Sequence, residues 1–398
     1  MVKIMIDHDD MENVEWQDLP KPARVHHEKR KLLITTDNFL PRWDGISRFL
    51  SEIIPRLQQR YTITVIAPDY GHISIEEVEI VKIPLRKKRF GDYTPAQFEY
   101  HRIKRYVQQA DIVFNQALGP IGLCAILAAK QCKKPIANYT HSIEWELVPK
   151  ALVSFGPLRG LLIPFSKWIA RFFYNRCTTL IVPSEHIAEL ISWQHIRTPK
   201  EIAHLGVDTT KFAPSDKKKA RENLNLAPDA FIVGYHGRIG YEKNIITLLR
   251  AFRRLQVKNK LLIIVGDGVP AIKNRLLKYH DVIVTGSTNH VNPWLHAMDV
   301  YVQPSLTETT SLTVLEAMAC GLPVISSKVG FIKYYIIDGN NGLFFDNSSP
   351  YDLFLKLHKL HSDRVLRSTL AVNARRTVVK DFNWEKTAEK ITAILDTL

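Results

Sequence analysis

Two carboxylates, Glu308 and Glu316, lie eight residues apart in the segment ETTSLTVLEAMACGLPVI, which spans residues 308–325. Four hydroxyl side chains lie between them, at Thr309, Thr310, Ser311 and Thr313. We predict a helix that begins near Thr310 and carries Glu316 about two turns in. Acids and hydroxyls at the mouth of one helix are suited to binding a polar ligand that carries phosphate.

The N-terminus of this helix is the predicted anion site. The backbone N–H groups of Ser311, Leu312 and Thr313 are free at the helix start, and the helix dipole favours negative charge there. Glu316 can then accept hydrogen bonds from vicinal hydroxyls such as those of a ribose, while Glu308 faces a cleft and binds hydroxyls of a second sugar ring. The alternative is that Glu316 is a solvated helix residue and Glu308 part of a helix cap.

Short apolar runs alternate with longer helical patterns along the chain, which is typical of parallel α/β proteins. The predicted strands of the first half span residues 31–36, 63–68, 79–84, 111–116, 135–141 and 179–184. Those of the second half span residues 231–237, 261–268, 282–286, 300–305 and 323–327. Each half therefore predicts its own doubly wound sheet.

Polar residues follow directly on several of these strands, at Thr140-His141, Pro183-Ser184, His236-Gly237-Arg238 and Pro304-Ser305. Ligands of open α/β sheets bind beyond the carboxyl ends of the strands. We therefore expect these residues to line a cleft between two facing sheets.

Composition limits the class of protein. The chain has 398 residues, of which 45% are hydrophobic, enough for two domains. Its formal charge of +14 indicates an anionic partner such as phosphate groups, a membrane surface or nucleic acid. The four cysteines are scattered, without the spacing of a disulfide framework or a zinc site, which fits a reducing, cytoplasmic compartment.

The segment that begins at Glu308 resembles the glycosyltransferase family 4 group, whose hallmark is E-x7-E followed by E-A-M-A-C/A-G-x-P-V. The matching residues are Glu308, Glu316, Ala317, Met318, Ala319, Cys320, Gly321, Pro323 and Val324. The resemblance implies a retaining enzyme of the GT-B fold, α/β with two Rossmann-like domains facing across a cleft. It also implies a nucleoside-diphosphate sugar as donor substrate and no separate cofactor.

Three further segments resemble elements of the same family. GRIGYEKN, residues 237–244, implies that Arg238 and Lys243 lie against the donor diphosphate, where two cations suit a departing anion. In DNFLPRWDGISRF, residues 37–49, Gly45 matches a glycine that lets phosphate approach the backbone, whereas Asp44 replaces the family's preceding glycine. The resemblance places His141 beside the transferred sugar.

The family pattern also suggests domain boundaries. Residues 1–30 read as a polar arm, 31–203 as the acceptor-side domain and 204–229 as a linker. Residues 230–380 read as the nucleotide-sugar-binding domain, and residues 381–398 as a helix that crosses back to the first domain. Asp7-His8-Asp9-Asp10 lies in the arm and is interpreted as solvated charge, so no metal site is predicted.

Two features suggest an acceptor in or on a membrane. Apolar residues recur at helical spacing from Leu158 to Phe173, with Arg159, Lys167 and Arg171 on the other side of the helix. Arg86-Lys87-Lys88-Arg89 adds a basic loop suited to an anionic bilayer. The alternative for the helix is ordinary packing on the first sheet.

These features predict a cytoplasmic, peripheral membrane enzyme with a lipid or lipid-linked glycan acceptor. No secretion signal is visible at the start of the chain, and no nucleic-acid-binding motif accompanies the positive charge. Three rivals remain: a glycosyltransferase with a soluble acceptor, a nucleotide-sugar isomerase or hydrolase of the same fold, and a catalytically silent nucleotide-sugar sensor.

Overall fold

The computed structural model describes residues 29–42, 44–87, 94–141, 143, 145, 159–308 and 310–398. These form two parallel sheets, which define a first and a second domain. The predicted arm at residues 1–30 lies almost wholly outside the described residues, as do Lys88 and Arg89 of the basic loop.

The first domain is built on a seven-stranded sheet of order β3-β2-β1-β4-β5-β6-β7. Its strands are β1 Arg30–Thr35, β2 Tyr61–Pro68, β3 Val78–Ile83, β4 Ile112–Asn115, β5 Ile136–Tyr139, β6 Thr179–Val182 and β7 Lys200–Ile202. The central β1 pairs in parallel with both neighbours, so that Ile34 lies beside Val65 and Phe114. Helices cover both faces, which explains why these strands read as continuous apolar runs.

The second domain has a six-stranded parallel sheet of order β10-β9-β8-β11-β12-β13. Its strands are β8 Phe231–His236, β9 Lys260–Val265, β10 Val282–Val284, β11 Val300–Gln303, β12 Val324–Ser327 and β13 Leu343–Phe345. All eleven strands predicted from the sequence are confirmed. The sequence did not predict β7 and β13, two further strands of three residues each at sheet edges.

Helices connect the strands and pack on both sheets. In the first domain they are α1 Gly45–Leu57, α2 Tyr100–Gln109, α3 Pro120–Cys132, α4 Arg159–Tyr174 and α5 Glu185–Trp193. The remainder are α6 Lys217–Asn223, α7 Ile245–Arg254, α8 Pro270–Leu276, α9 Asn292–Ala297, α10 Leu312–Ala319, α11 Ile332–Tyr335, α12 Pro350–Ser362, α13 Arg364–Asp381 and α14 Trp384–Asp396, with a 3₁₀ helix at Tyr241–Lys243.

The last helix, α14, packs on the first domain. Its apolar face buries Trp384, Ile391 and Leu395 in the same core cluster as residues of α1. Its far end is tied to β2, where the Tyr61 hydroxyl donates to the Asp396 carboxylate at 2.5 Å. The predicted linker, residues 204–229, contacts the second domain through Arg221, which forms a buried ion pair of 2.7 Å with Asp299.

Helix α4 is neither wholly core nor wholly surface. Ala170 and Tyr174 are buried, whereas Phe165 and Trp168 are 57% and 59% exposed and stack on each other. The predicted apolar face also included Leu158, Leu161 and Leu162, whose side chains lie outside the described residues. Within the described part of the chain, no helix is long and apolar enough to cross a membrane.

Candidate active site

Glu308 lies in the loop after β11, with only 9% of its side chain exposed. Its Oε1 accepts hydrogen bonds from Lys243 Nζ at 2.6 Å, Gln303 Nε2 at 2.8 Å and Ser305 Oγ at 2.8 Å. The lysine neutralises the buried charge, and the two neutral donors fix the plane of the carboxylate. All three bonds go to one oxygen, so Oε2 keeps its capacity to accept from a ligand hydroxyl.

The N-terminus of α10 lies next to this carboxylate. Gln303, which donates to Glu308, also accepts from Thr313 Oγ1 at 3.3 Å. The helix begins at Leu312 and not near Thr310, because Ser311 has a left-handed backbone with φ of 58° that a continuous helix cannot include. The N–H groups of Leu312 and Thr313 are the first of the helix, so they have no partner within it.

Glu316 is the fifth residue of α10, about one turn from its start rather than the predicted two. Its side chain is 3% exposed and accepts from His236 Nε2 at 2.6 Å. It also pairs with the guanidinium of Arg48, a residue of α1 in the first domain. Burial, together with the positive charge of Arg48, lowers the pKa of His236 to about 3, so the ring is neutral and donates to the carboxylate.

The sequence did not predict these two partners of Glu316. His236 stood out only because it follows a strand, and nothing in the sequence marked Arg48. A buried carboxylate needs compensating donors. That requirement was a signal that a partner existed, but it did not say which residue supplies it.

Of the two predicted diphosphate cations, Lys243 and Arg238, only the lysine contacts the carboxylate site. The Arg238 side chain is 69% exposed and pairs with Glu242 at 2.6 Å, four residues along the chain. Its backbone is fixed by the Tyr235 hydroxyl, which donates to the Arg238 carbonyl at 2.8 Å. The backbone of Arg238 is therefore fixed, whereas its guanidinium is held by a solvent-exposed ion pair with Glu242.

Gly45 is the first residue of α1. The Asp44 carboxylate caps this helix by accepting from the N–H groups of Ile46 and Ser47 at 3.0 and 2.9 Å. These are donors that a phosphate at the helix start would otherwise use. The aspartate that replaces the family's glycine thus makes this N-terminus a poorer anion site than that of α10.

His141 follows β5 in the first domain and is packed between two aromatic rings, with centroids 4.8 Å from Phe49 and 4.5 Å from Tyr139. Its Nε2 lies 3.0 Å from Gln116 Oε1, an acceptor, so we assign the proton to Nε2. Burial lowers the pKa of His141 to about 3. Phe49 follows Arg48 on α1, so the same helix contacts both His141 and Glu316.

Two family patterns match consecutive parts of the chain. Residues 43–211 match Glycosyltransferase Family 4, and residues 216–377 match Glycosyl transferases group 1, so that both domains are covered. The chain belongs to glycosyltransferase family 4. The GT-B fold agrees with this assignment: the structure superimposes on Anabaena HepE in complex with UDP with a TM-score of 0.74, at 18% identity, covering 92% of this chain and 100% of that one.

Curated relatives of this glycosyltransferase extend over most of its length. It is 25% identical over 388 residues to the GDP-mannose-dependent alpha-(1-6)-phosphatidylinositol monomannoside mannosyltransferase of Mycolicibacterium smegmatis, covering 92% of this chain and 98% of the relative. It is 26% identical over 335 residues to the alpha-monoglucosyldiacylglycerol synthase of Streptococcus pneumoniae, covering 78% and 74%.

The half-buried residue His141 should make the stability of this glycosyltransferase depend on pH. Below its ordinary pKa of 6.5, His141 is protonated in the unfolded chain but stays neutral in the folded protein until about pH 3. Folding is therefore progressively penalised as pH falls through that window. In His141→Gln, the loss of unfolding free energy between pH 7.5 and pH 5.0 should be smaller than in the wild type, by up to about 2 kcal/mol.

Urea unfolding at the two pH values measures this difference. Asp37, whose pKa is raised to about 6 by burial, affects both proteins alike and cancels. Exposed His72 offers the matched control, because His72→Gln removes an imidazole from the surface of the first domain. Equal losses in wild type and His141→Gln would show that His141 is free to ionise in the folded protein.

Proposed function

We propose that this chain is a retaining hexosyltransferase that uses a nucleoside-diphosphate sugar and acts on a membrane lipid or lipid-linked glycan. The observation that carries the proposal is the continuous series of contacts from Lys243 through Glu308 and Gln303 to Thr313. These contacts place a carboxylate that can accept a hydrogen bond from a sugar hydroxyl beside a cation and a helix N-terminus. Positioning and charge stabilisation of this kind are what transfer from a sugar nucleotide requires.

The donor binds along α10. Its diphosphate lies at the N–H groups of Leu312 and Thr313 and beside Lys243, where the helix dipole and the ammonium favour negative charge. Arg238 turns from Glu242 to the diphosphate at the cost of one exposed ion pair, which is small. Glu316 accepts from the ribose hydroxyls, and Gly45 leaves space on the first-domain side of the cleft.

Sugar transfer then proceeds on one face of the donor. The acceptor hydroxyl forms a bond to the anomeric carbon as the bond from that carbon to the phosphate oxygen breaks, and the acceptor proton passes to the departing phosphate. Glu308 Oε2 holds a hexose hydroxyl, and Nδ1 of neutral His141 accepts from another. Lys243 and α10 stabilise the charge that builds on the diphosphate, so the proposal includes no metal or cofactor.

A membrane acceptor is supported by the surface of α4 and by the relatives. Phe165 and Trp168 present a stacked aromatic pair to solvent, and Lys167 and Arg171 lie on the same helix. Aromatic and basic side chains together suit an interface of anionic lipid. Two relatives carry names of lipid-modifying enzymes, a phosphatidylinositol monomannoside mannosyltransferase and a monoglucosyldiacylglycerol synthase. We accordingly propose a peripheral location on the cytoplasmic face of the membrane.

The deciding experiment measures nucleoside diphosphate release from UDP-, GDP- and ADP-sugars, with and without anionic vesicles that contain a crude lipid extract. Release should depend on the vesicles, the label should enter the lipid phase, and EDTA should leave the rate unchanged. Nucleoside diphosphate release that does not depend on the vesicles would instead indicate a soluble acceptor. Turnover with no acceptor would indicate an isomerase or hydrolase, and a strict metal requirement would contradict the metal-free step.

A surface variant separates membrane binding from chemistry. Phe165→Ser combined with Trp168→Ser removes the exposed aromatic pair without touching the Glu308 site, so vesicle sedimentation and vesicle-dependent release should fall together. Exposed Trp193, at the end of α5, supplies the matched control, because Trp193→Ser removes a comparable ring elsewhere on the first domain. Equal losses of vesicle binding in the two variants would show that α4 has no specific role in membrane binding.

A further inference from the structure

The Glu316 carboxylate joins the two domains. Arg48 of α1 pairs with Oε1, and His236 of β8 donates to Oε2 at 2.6 Å. The guanidinium comes from a residue 268 positions away in the chain. One carboxylate therefore has a cationic partner from the first domain and a neutral partner from its own domain.

Apolar packing at the same place shows that this is where the domains meet. Leu312, the first residue of α10, packs against the core cluster of the second domain and also against the cluster that contains α1. The Arg48 side chain is 22% exposed and that of Glu316 is 3% exposed. An ion pair removed from water to this extent is costly to break when neither charge finds a new partner.

We propose that Arg48 competes with the donor ribose for Glu316 and thereby sets the affinity of the enzyme for its sugar nucleotide. This inference rests on the proposed function, in which Glu316 binds the ribose. The Glu316 carboxylate is 3% exposed, with the Arg48 guanidinium on Oε1 and the His236 ring on Oε2. The vicinal hydroxyls of the ribose therefore reach this carboxylate when Arg48 leaves Oε1.

Helix α1 offers the displaced arginine a second partner. Glu52 lies four residues after Arg48, which places it on the same face of the helix. The negative charge of the Glu52 carboxylate already stabilises the charged form of the Arg48 guanidinium. At present Glu52 pairs with Arg56 at 3.2 Å, and Arg56 has Glu385 as another partner at 2.7 Å. Arg48 can therefore leave Glu316 without becoming an isolated charge.

The test compares nucleoside diphosphate with inorganic pyrophosphate, which has no ribose, by titration calorimetry. The nucleotide to use is whichever of UDP, GDP and ADP binds the wild type. It should bind Arg48→Met at least about fivefold more tightly, within the range typical of coupling between sites. Pyrophosphate affinity should not change. Arg48→Gln provides a second variant of different packing, and Arg60→Met, just beyond the end of α1 and paired with Asp396, should leave both affinities unaltered.

Three results would overturn the proposal. Weaker nucleotide binding in both Arg48 variants would make Arg48 a ligand of the donor. Unchanged nucleotide binding, or an equal change for pyrophosphate, would show that no competition for the ribose site exists. Failure of the wild type to bind any nucleotide would instead refute the proposed function itself, and the inference about Arg48 with it.

Discussion

Glu308→Gln is expected to lower kcat for sugar transfer by about two to three orders of magnitude, the size of effect seen when one stabilising group is removed from an active site. The affinity for nucleoside diphosphate should stay within about threefold, because the proposed diphosphate and ribose sites lie along α10 and not at Glu308. The amide keeps the shape of the side chain. It removes the charge that Lys243 neutralises and that orders Gln303 and Ser305.

Single-turnover rates with the identified donor measure the chemical step, and calorimetry measures nucleotide binding. Glu222→Gln is the matched control, since this carboxylate is exposed on α6, outside the site, and should affect kcat little. Unimpaired transfer by Glu308→Gln would remove Glu308 from the reaction. A parallel loss of nucleotide binding would instead make the residue part of the donor site as a whole.

Removal of both predicted cations, in Arg238→Ala combined with Lys243→Ala, should weaken binding of nucleoside diphosphate by about 100-fold. Hydrogen bonds to charged groups contribute about 1.5–3 kcal/mol each, and the less solvated donor contributes more. Lys243 is 21% exposed, whereas Arg238 is 69% exposed. Most of the loss should therefore come from the lysine.

Titration calorimetry of both single variants and the double variant tests this ranking. Arg254→Ala removes one positive charge, as each single variant does, at an exposed position of α7 outside the site, and should leave the affinity unchanged. Unaltered binding by the double variant would place the phosphate site elsewhere. A larger loss from Arg238→Ala than from Lys243→Ala would mean that the guanidinium carries more of the phosphate contact than its exposure suggests.

The strands, and the candidate site residues that follow them, could be read from the sequence because they depend on neighbours in the chain. Buried parallel strands need continuous apolar runs, which are visible in the sequence. The spacing of Glu308 and Glu316 and the apolar strand that follows them are local in the same sense. The edge strands β7 and β13 were missed: β7 reads Lys-Glu-Ile and has no apolar run to mark it.

The sequence by itself determined two doubly wound domains, the family and the segments that build the cleft, because periodicity and motif are properties of adjacent residues. Only the tertiary structure decided the partners of the buried charges: Lys243 with Glu308, and both Arg48 and His236 with Glu316. The physical reason is distance along the chain. A buried carboxylate requires a donor, but the donor that reaches it depends on how the two domains pack together.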